Sequence, residues 1–173
     1  MHSFESIDHF TKFIDTVIQV NVAKIPALEY AAQVVEKAAK EELGTYQRKN
    51  MGAFAPWAEL SDSTKANRRQ AQSTYGENAP LLRDGDLRAS ISHETDISGH
   101  EAVIGTPLEK AIYLELGTKN MAPRSFLGLA AHRSRKKIIR IVGGVTVCAL
   151  LNWDYKLANT KIAGMSVFEH EGE

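Results

Sequence analysis

Apolar residues recur at three- and four-residue steps in the first quarter of the chain, a pattern typical of amphipathic helices. Over residues 3–20 this stripe consists of Phe4, Ile7, Phe10, Ile14, Val17 and Ile18. Pro26 suits the first turn of a second helix, because its missing N–H costs little there. The second helix has an alanine-rich face, and Gly44 is a suitable stop. The sequence therefore predicts two helices, over 3–20 and 26–43.

The helical period is lost over residues 45–83, which are mostly polar and punctuated by glycine and proline. We expect a long polar loop here, interrupted by one short helix near 61–72. Ser61 and Asp62 are candidate N-caps for that helix.

The pattern then changes to alternation, which is typical of a half-buried strand. One side of this strand carries Ala89, Ile91, His93, Thr95 and Ile97. Residues 98–100 suit a turn, and 101–106 return as a second strand. The prediction is an antiparallel hairpin near 89–106.

Two more helices are predicted, over 107–116 and 125–142. Thr106 and Glu109 have capping-box spacing, Pro107 suits the first helical position, and Gly117 suits the stop. Gly143-Gly144 is expected to end the last helix, and residues 145–153 fit either a strand or a helix. The fold class is therefore α+β: a small antiparallel sheet packed with long amphipathic helices. We expect one domain over 1–144 and a C-terminal extension over 145–173.

Composition narrows the function classes. The 173 residues carry 21 Lys+Arg and 21 Asp+Glu, so a strongly basic nucleic-acid coat is not expected. Charge is nevertheless uneven, because residues 98–143 hold eight basic and three acidic side chains. A single cysteine, Cys148, excludes an internal disulfide and a multi-cysteine zinc site. Neither a secretory signal nor a membrane span is expected.

Catalytic constellations are weak in this sequence. His93 and His100 lack a third metal ligand at a suitable spacing, although a metal-dependent hydrolase using them with a carboxylate is a distant alternative. There is no nucleophile elbow and no phosphate-binding glycine loop. We therefore expect no enzymatic activity, no metal and no cofactor.

Two features suit contacts with a partner. Arg133, Lys136, Lys137 and Arg140 share one helix face, which is either solvated, protein-contacting or close to a DNA backbone. Trp57 lies in a loop, where a tryptophan either packs on the core or anchors an interface.

Three stretches together resemble the tail-completion, or virion morphogenesis, proteins of tailed bacteriophages. They are Trp57 to Ser61 with Thr64, Ala79 to Ile91, and Tyr113 to Thr118 followed by Met121 to Ala130. The resemblance covers residues 25–142. The family usually has proline between the arginine and phenylalanine of the last motif, where this chain has Ser125.

The resemblance implies a structural protein of the neck, which completes the tail and joins it to the DNA-filled head. It implies a ring of copies around the DNA channel, six- or twelve-fold, contacting connector or stopper and tail-terminator or tail-tube proteins. The location would be the virion neck or tail after assembly in the host cytoplasm, without a membrane. Partner or DNA-channel contacts are expected from Trp57, Arg124, Arg133, Lys136, Lys137 and Arg140. The alternative is an accessory protein that binds the DNA backbone through the basic 133–140 face.

Overall fold

A computed structural model describes residues 7–96 and 101–150. Within those ranges the elements are α1 (Ile7–Glu42), α2 (Asp62–Gln70), α3 (Asp86–Ser90), β1 (Ser92–Asp96), β2 (Glu101–Gly105), α4 (Lys110–Leu116) and α5 (Leu127–Leu150). The strands β1 and β2 form a two-stranded antiparallel sheet. The predicted α+β class, with a small hairpin and long helices, is confirmed.

The division of the first helical region into two helices is wrong. A single helix, α1, continues through Pro26, although proline cannot donate to the carbonyl of Val22. Buried side chains follow the proline at helical spacing, beginning with Ala27 and Ala31, so packing offsets the lost hydrogen bond. Residues 3–6 of the predicted helix lie outside the described residues.

The predicted stop at Gly143-Gly144 is also wrong. The last helix begins at Leu127 rather than 125 and runs to Leu150, so the expected border at 144 falls inside it. Ile141 and Val145, one turn apart, are both buried on either side of the glycine pair. Burial of that apolar row outweighs a helix-propensity cost of about 1 kcal/mol for each glycine. Of the segment 145–153, the described part is helical, and 151–153 lie outside the described residues.

The hairpin near 89–106 is confirmed, with narrower limits. Ala89 and Ser90 belong to α3 rather than to the strand, and residues 97–100, including the expected turn, lie outside the described ranges. The short helix near 61–72 is confirmed as α2, with the Ser61 side chain accepting the N–H of Thr64. Helix α4 begins at Lys110, later than predicted, because the Thr106 hydroxyl accepts the N–H of Leu108 instead of forming a capping box.

The chain divides into two compact units. One contains residues 32–94 and 102–135, and its buried cluster includes Leu43, Trp57, Leu82, Phe126 and Leu129. The other contains, among the described residues, 7–31, 95–96, 101 and 136–150. Ala27, Ala31, Ile141 and Val145 are its buried apolar side chains among the described residues.

Candidate functional site

Trp57 is a core residue. Its side chain is only 5% exposed and belongs to the main buried cluster. Its backbone N–H donates to the carbonyl of Gln47 at 2.8 Å, which fixes the loop that carries it. Of the two alternatives for this tryptophan, the structure supports packing on the core, so its assignment to a partner interface is corrected.

The Arg124 side chain donates hydrogen bonds to backbone carbonyls. Its guanidinium donates to the carbonyl of Ala58 from two nitrogens, at 2.9 and 3.2 Å, and to the carbonyl of Glu59 at 3.4 Å. Its own N–H donates to the carbonyl of Leu114 at 2.8 Å. The half-buried arginine thus ties the segment before α5 to the loop that follows Trp57.

Glu115 caps the N-terminus of α5, a role that the sequence patterns did not reveal. One carboxylate oxygen accepts the N–H groups of Phe126 and Leu127, at 2.8 and 3.0 Å. The other accepts the N–H of Gly128 at 2.9 Å and the Ser125 hydroxyl. These donors have no partner within the helix, and a negative charge is favourable at a helix N-terminus. Glu115 lies in the motif Tyr113 to Thr118, but no local capping spacing in the sequence points to this role.

Arg133 contacts the end of α1 and the segment after it, and its side chain remains 40% exposed. Its guanidinium donates to Glu42 at 2.5 Å, to the side-chain oxygen of Gln47 at 2.6 Å and towards the sulfur of Met51 at 3.3 Å. Glu42 and Gln47 are both buried, and burial raises the pKa of the Glu42 carboxyl against the opposing effect of Arg133. The guanidinium supplies hydrogen bonds to both buried side chains, which would otherwise be costly to remove from water.

The remaining members of the predicted basic face are exposed. Lys136, Lys137 and Arg140 all project from α5 within the unit that contains residues 136–150, and each is exposed to solvent. Arg133 is exposed as well, and its guanidinium also donates to Glu42 and Gln47.

The motif segments converge on one groove of about 830 Å³. Its lining comes from the Trp57 loop and α2, from the turn that leads into α3, and from α4 with the segment after it. The charged lining residues are Glu59, Arg68, Arg83, Asp84, Asp86, Lys110 and Arg124. Segments that are far apart in sequence therefore form a single concave surface of mixed charge.

Two helices expose apolar side chains. On α4, Ile112 and Leu116 lie one turn apart and are 58% and 73% exposed, with Tyr113 beside them. In the other unit, α1 exposes Ile14, Ile18 and Val22 at four-residue spacing. Large exposed apolar surfaces are typical of contacts with other proteins.

The metal-site alternative receives no support from the described residues. His93 contacts Glu36, which also accepts from Lys40, and His100 lies outside the described ranges. Across residues 7–96 and 101–150 there is no group of three His, Cys, Asp or Glu side chains that could hold a metal ion. Among those same residues, no helix is long and apolar enough to cross a membrane.

Comparisons with protein-family models, with curated proteins and with solved structures find no match to this chain. The geometry itself offers backbone capping, buried ion pairing and exposed apolar ridges.

Proposed function

We propose that this chain is a structural protein of the phage neck, which completes the tail and joins it to the DNA-filled head. The proposal starts from the resemblance of residues 25–142 to tail-completion proteins. It assigns no enzymatic step, metal or cofactor to the chain.

The observation that carries this proposal is what the motif residues do. Glu115 caps α5, Arg124 holds the Trp57 loop through backbone carbonyls, and Trp57 fills the core. Gly117 adopts φ +75°, which allows the chain to reverse after α4. Each residue stabilises the shape of the unit, as expected of an assembly component.

Exposed apolar side chains supply a reason to assemble. A row such as Ile112 and Leu116 on α4 remains in contact with water in the single chain. Burying apolar surface stabilises an assembly by about 25 cal/mol for each Å² removed from water. The α4 row is therefore a suitable contact surface for another copy or for a neighbouring neck protein.

The proposed assembly is a ring around the DNA channel, six- or twelve-fold, in the virion neck or tail. Closed rings arise from heterologous contacts, in which one surface of a copy meets a different surface of the next. Connector or stopper proteins would adjoin the ring on the head side. Tail-terminator or tail-tube proteins would adjoin it on the tail side.

Electron microscopy of a lysate from phage lacking this gene tests the proposal. The expected result is DNA-filled heads and finished tails that remain separate, with joining restored when the gene is supplied in trans. Joined, intact particles in the deletion lysate would exclude a neck function.

A second candidate is DNA-backbone binding, favoured by the exposure of Lys136, Lys137 and Arg140. It predicts binding of duplex DNA that weakens steeply with salt, because each phosphate contact releases a counterion. The charge of Arg133 is partly balanced by Glu42, which accepts from its guanidinium. Salt-independent or absent binding by the purified protein would remove this candidate.

A further inference from the structure

Three guanidinium groups share the groove formed by the motif segments. Arg68 comes from α2, Arg83 from the turn before α3, and Arg124 from the segment before α5. Burial lowers the pKa of the Arg68 guanidinium, and the positive charges of Arg83 and Arg124 lower it further. All three side chains therefore line the same concavity.

Carbonyl oxygens rather than carboxylates hold two of these guanidiniums. Arg68 donates to the carbonyl of Ala79 at 2.5 Å, and Arg124 donates to the carbonyls of Ala58 and Glu59. Carbonyl acceptors fix the direction of an arginine without neutralising its charge. Arg83 has a partial counter-charge in Asp84 at 2.9 Å. The groove therefore presents oriented positive charge that suits carboxylate oxygens.

The lining also argues for a peptide rather than for a nucleic acid. Glu59, Asp84 and Asp86 lie among the basic side chains and would repel an unbroken row of phosphates. Separate carboxylates on a short peptide can meet the guanidiniums and avoid these acids. The volume of about 830 Å³ falls within the roughly 300–1,000 Å³ usual for sites that enclose small ligands.

The chain itself contains a segment of suitable charge. Residues 169–173 read Glu-His-Glu-Gly-Glu, with carboxylates at every second position. In an extended peptide, alternate side chains project from the same side about 7 Å apart. Residues 151–168 are long enough to span at most about 60 Å beyond α5, so the segment can reach another molecule.

We propose that this groove binds the acidic segment 169–173 of a neighbouring copy, through carboxylates that contact Arg68, Arg83 and Arg124. The choice of a neighbouring copy rests on the proposed ring. Exchange of this segment joins two different surfaces of adjacent copies, which is the heterologous contact that a ring requires.

Photo-crosslinking in the full-length protein tests this inference. His170 is replaced by p-benzoylphenylalanine, and chains labelled with ¹⁴N and ¹⁵N are mixed before irradiation. Mass spectrometry is expected to find crosslinks from residue 170 of one isotope to groove residues, such as Leu87 or Met121, of the other. Crosslinks confined to residues outside the groove, or within single chains, would overturn the proposal.

Two double variants of equal net charge separate binding in the groove from general electrostatic attraction. Arg83→Gln with Lys110→Gln removes one proposed carboxylate contact and one further positive charge of the groove lining, and neither side chain holds a backbone carbonyl in the described contacts. We expect the lost Arg83 contact alone to lower the crosslink yield by about three- to fivefold, since an exposed charge contact contributes up to about 1 kcal/mol. The matched control, Lys119→Gln with Arg135→Gln, neutralises exposed charges outside the groove and should leave the yield unchanged.

Equal yields in the groove and control variants would contradict the assignment. Competition by short duplex DNA, without competition by a synthetic peptide of residues 164–173, would assign the groove to phosphates and also contradict it. The neck function is judged independently by the deletion lysate. Groove crosslinks together with joined particles would exclude the neck function alone, and unjoined particles without groove crosslinks would exclude the groove assignment alone.

Discussion

The Glu115 carboxylate accepts the backbone N–H of Gly128 at 2.9 Å, which connects the end of α4 to the first turn of α5. Gly128 also allows close packing, because a Cβ there would lie 2.8 Å from the Phe54 ring and 2.9 Å from the Ser125 hydroxyl. The Glu115 carboxylate and the absence of a side chain at Gly128 therefore both stabilise the start of α5. This connection ties the end of α4 to the first turn of α5.

Replacing Glu115 should destabilise the protein substantially. Glu115→Ala removes the acceptor for three N–H groups at a half-buried helix start. We expect a loss of about 2–3 kcal/mol in the free energy of unfolding, since charged caps and their hydrogen bonds contribute at this level. Urea denaturation measures it, with Glu94→Ala on exposed β1 as the control. Equal unfolding midpoints for the two variants would show that Glu115 does not cap the helix.

Arg133 and its exposed helix neighbours should respond differently to mutation. Arg133→Met leaves the buried Glu42 carboxylate without its cation, and we expect a cost of about 2–3 kcal/mol at neutral pH. Lys137→Met, on the exposed side, should change stability by less than about 0.5 kcal/mol. Thermal unfolding of both variants measures the difference. A similar small effect in both would show that the Arg133–Glu42 ion pair does not stabilise the fold.

The Arg133→Met effect should depend on pH in a defined direction. Burial raises the folded-state pKa of Glu42 above 4.5, so its ionisation lowers stability as pH rises from about 4.5. Without Arg133 the pKa of Glu42 rises further, and ionisation of Glu42 then lowers the stability of the folded protein by more. The stability gap between wild type and variant should therefore widen from about pH 4 to pH 7. A gap that narrows over this range would contradict the ion pair.

Glu36 gives the opposite pH dependence. Hydrogen bonds from Lys40, and then from His93, lower the pKa of Glu36 below 4.5 in the folded protein. The ionised carboxylate stabilises the fold above that value, and this contribution is lost as pH falls through the lowered pKa. Glu36→Gln should therefore show a weaker loss of stability below pH 4.5 than wild type in urea titrations. Glu41→Gln, an exposed acid on the same helix, should retain the wild-type slope.

Two glycine substitutions should change stability in opposite directions. Gly117 has φ +75°, and a Cβ there would lie 2.8 Å from the carbonyl oxygen of Met121. Gly117→Ala should therefore cost about 2 kcal/mol or more. Gly143 lies within α5 with nothing near its Cβ position, so Gly143→Ala should stabilise by about 0.5–1 kcal/mol. Calorimetric melting temperatures that move in the same direction would refute this account of the two sites.

Local patterns predicted the kind of element better than its limits. Alternation near residues 91–97 identified the hairpin, and Ser61 identified the start of α2. Pro26 and the Gly143-Gly144 pair were misleading, because local propensity favours a break at each. Burial of side chains such as Ala31 and Val145 on the continuing helix faces offsets that preference.

The site was less predictable, because its contacts join residues far apart in sequence. A helical wheel places Arg133 beside Lys137, but it cannot reveal Glu42 buried opposite the arginine. The cap by Glu115 likewise spans a turn and a helix boundary, which no local spacing rule describes. Trp57 was left open between core and interface, and only packing resolves that choice.

The most direct test of the neck function is complementation in a cell-free mixture. Purified protein is added to a lysate that contains heads and tails from phage lacking the gene, and infectious particles are counted. The account predicts that wild-type protein restores joined, infectious particles, while buffer alone does not. If folded wild-type protein is added and heads and tails stay separate, with no rise in titre, the neck function is contradicted.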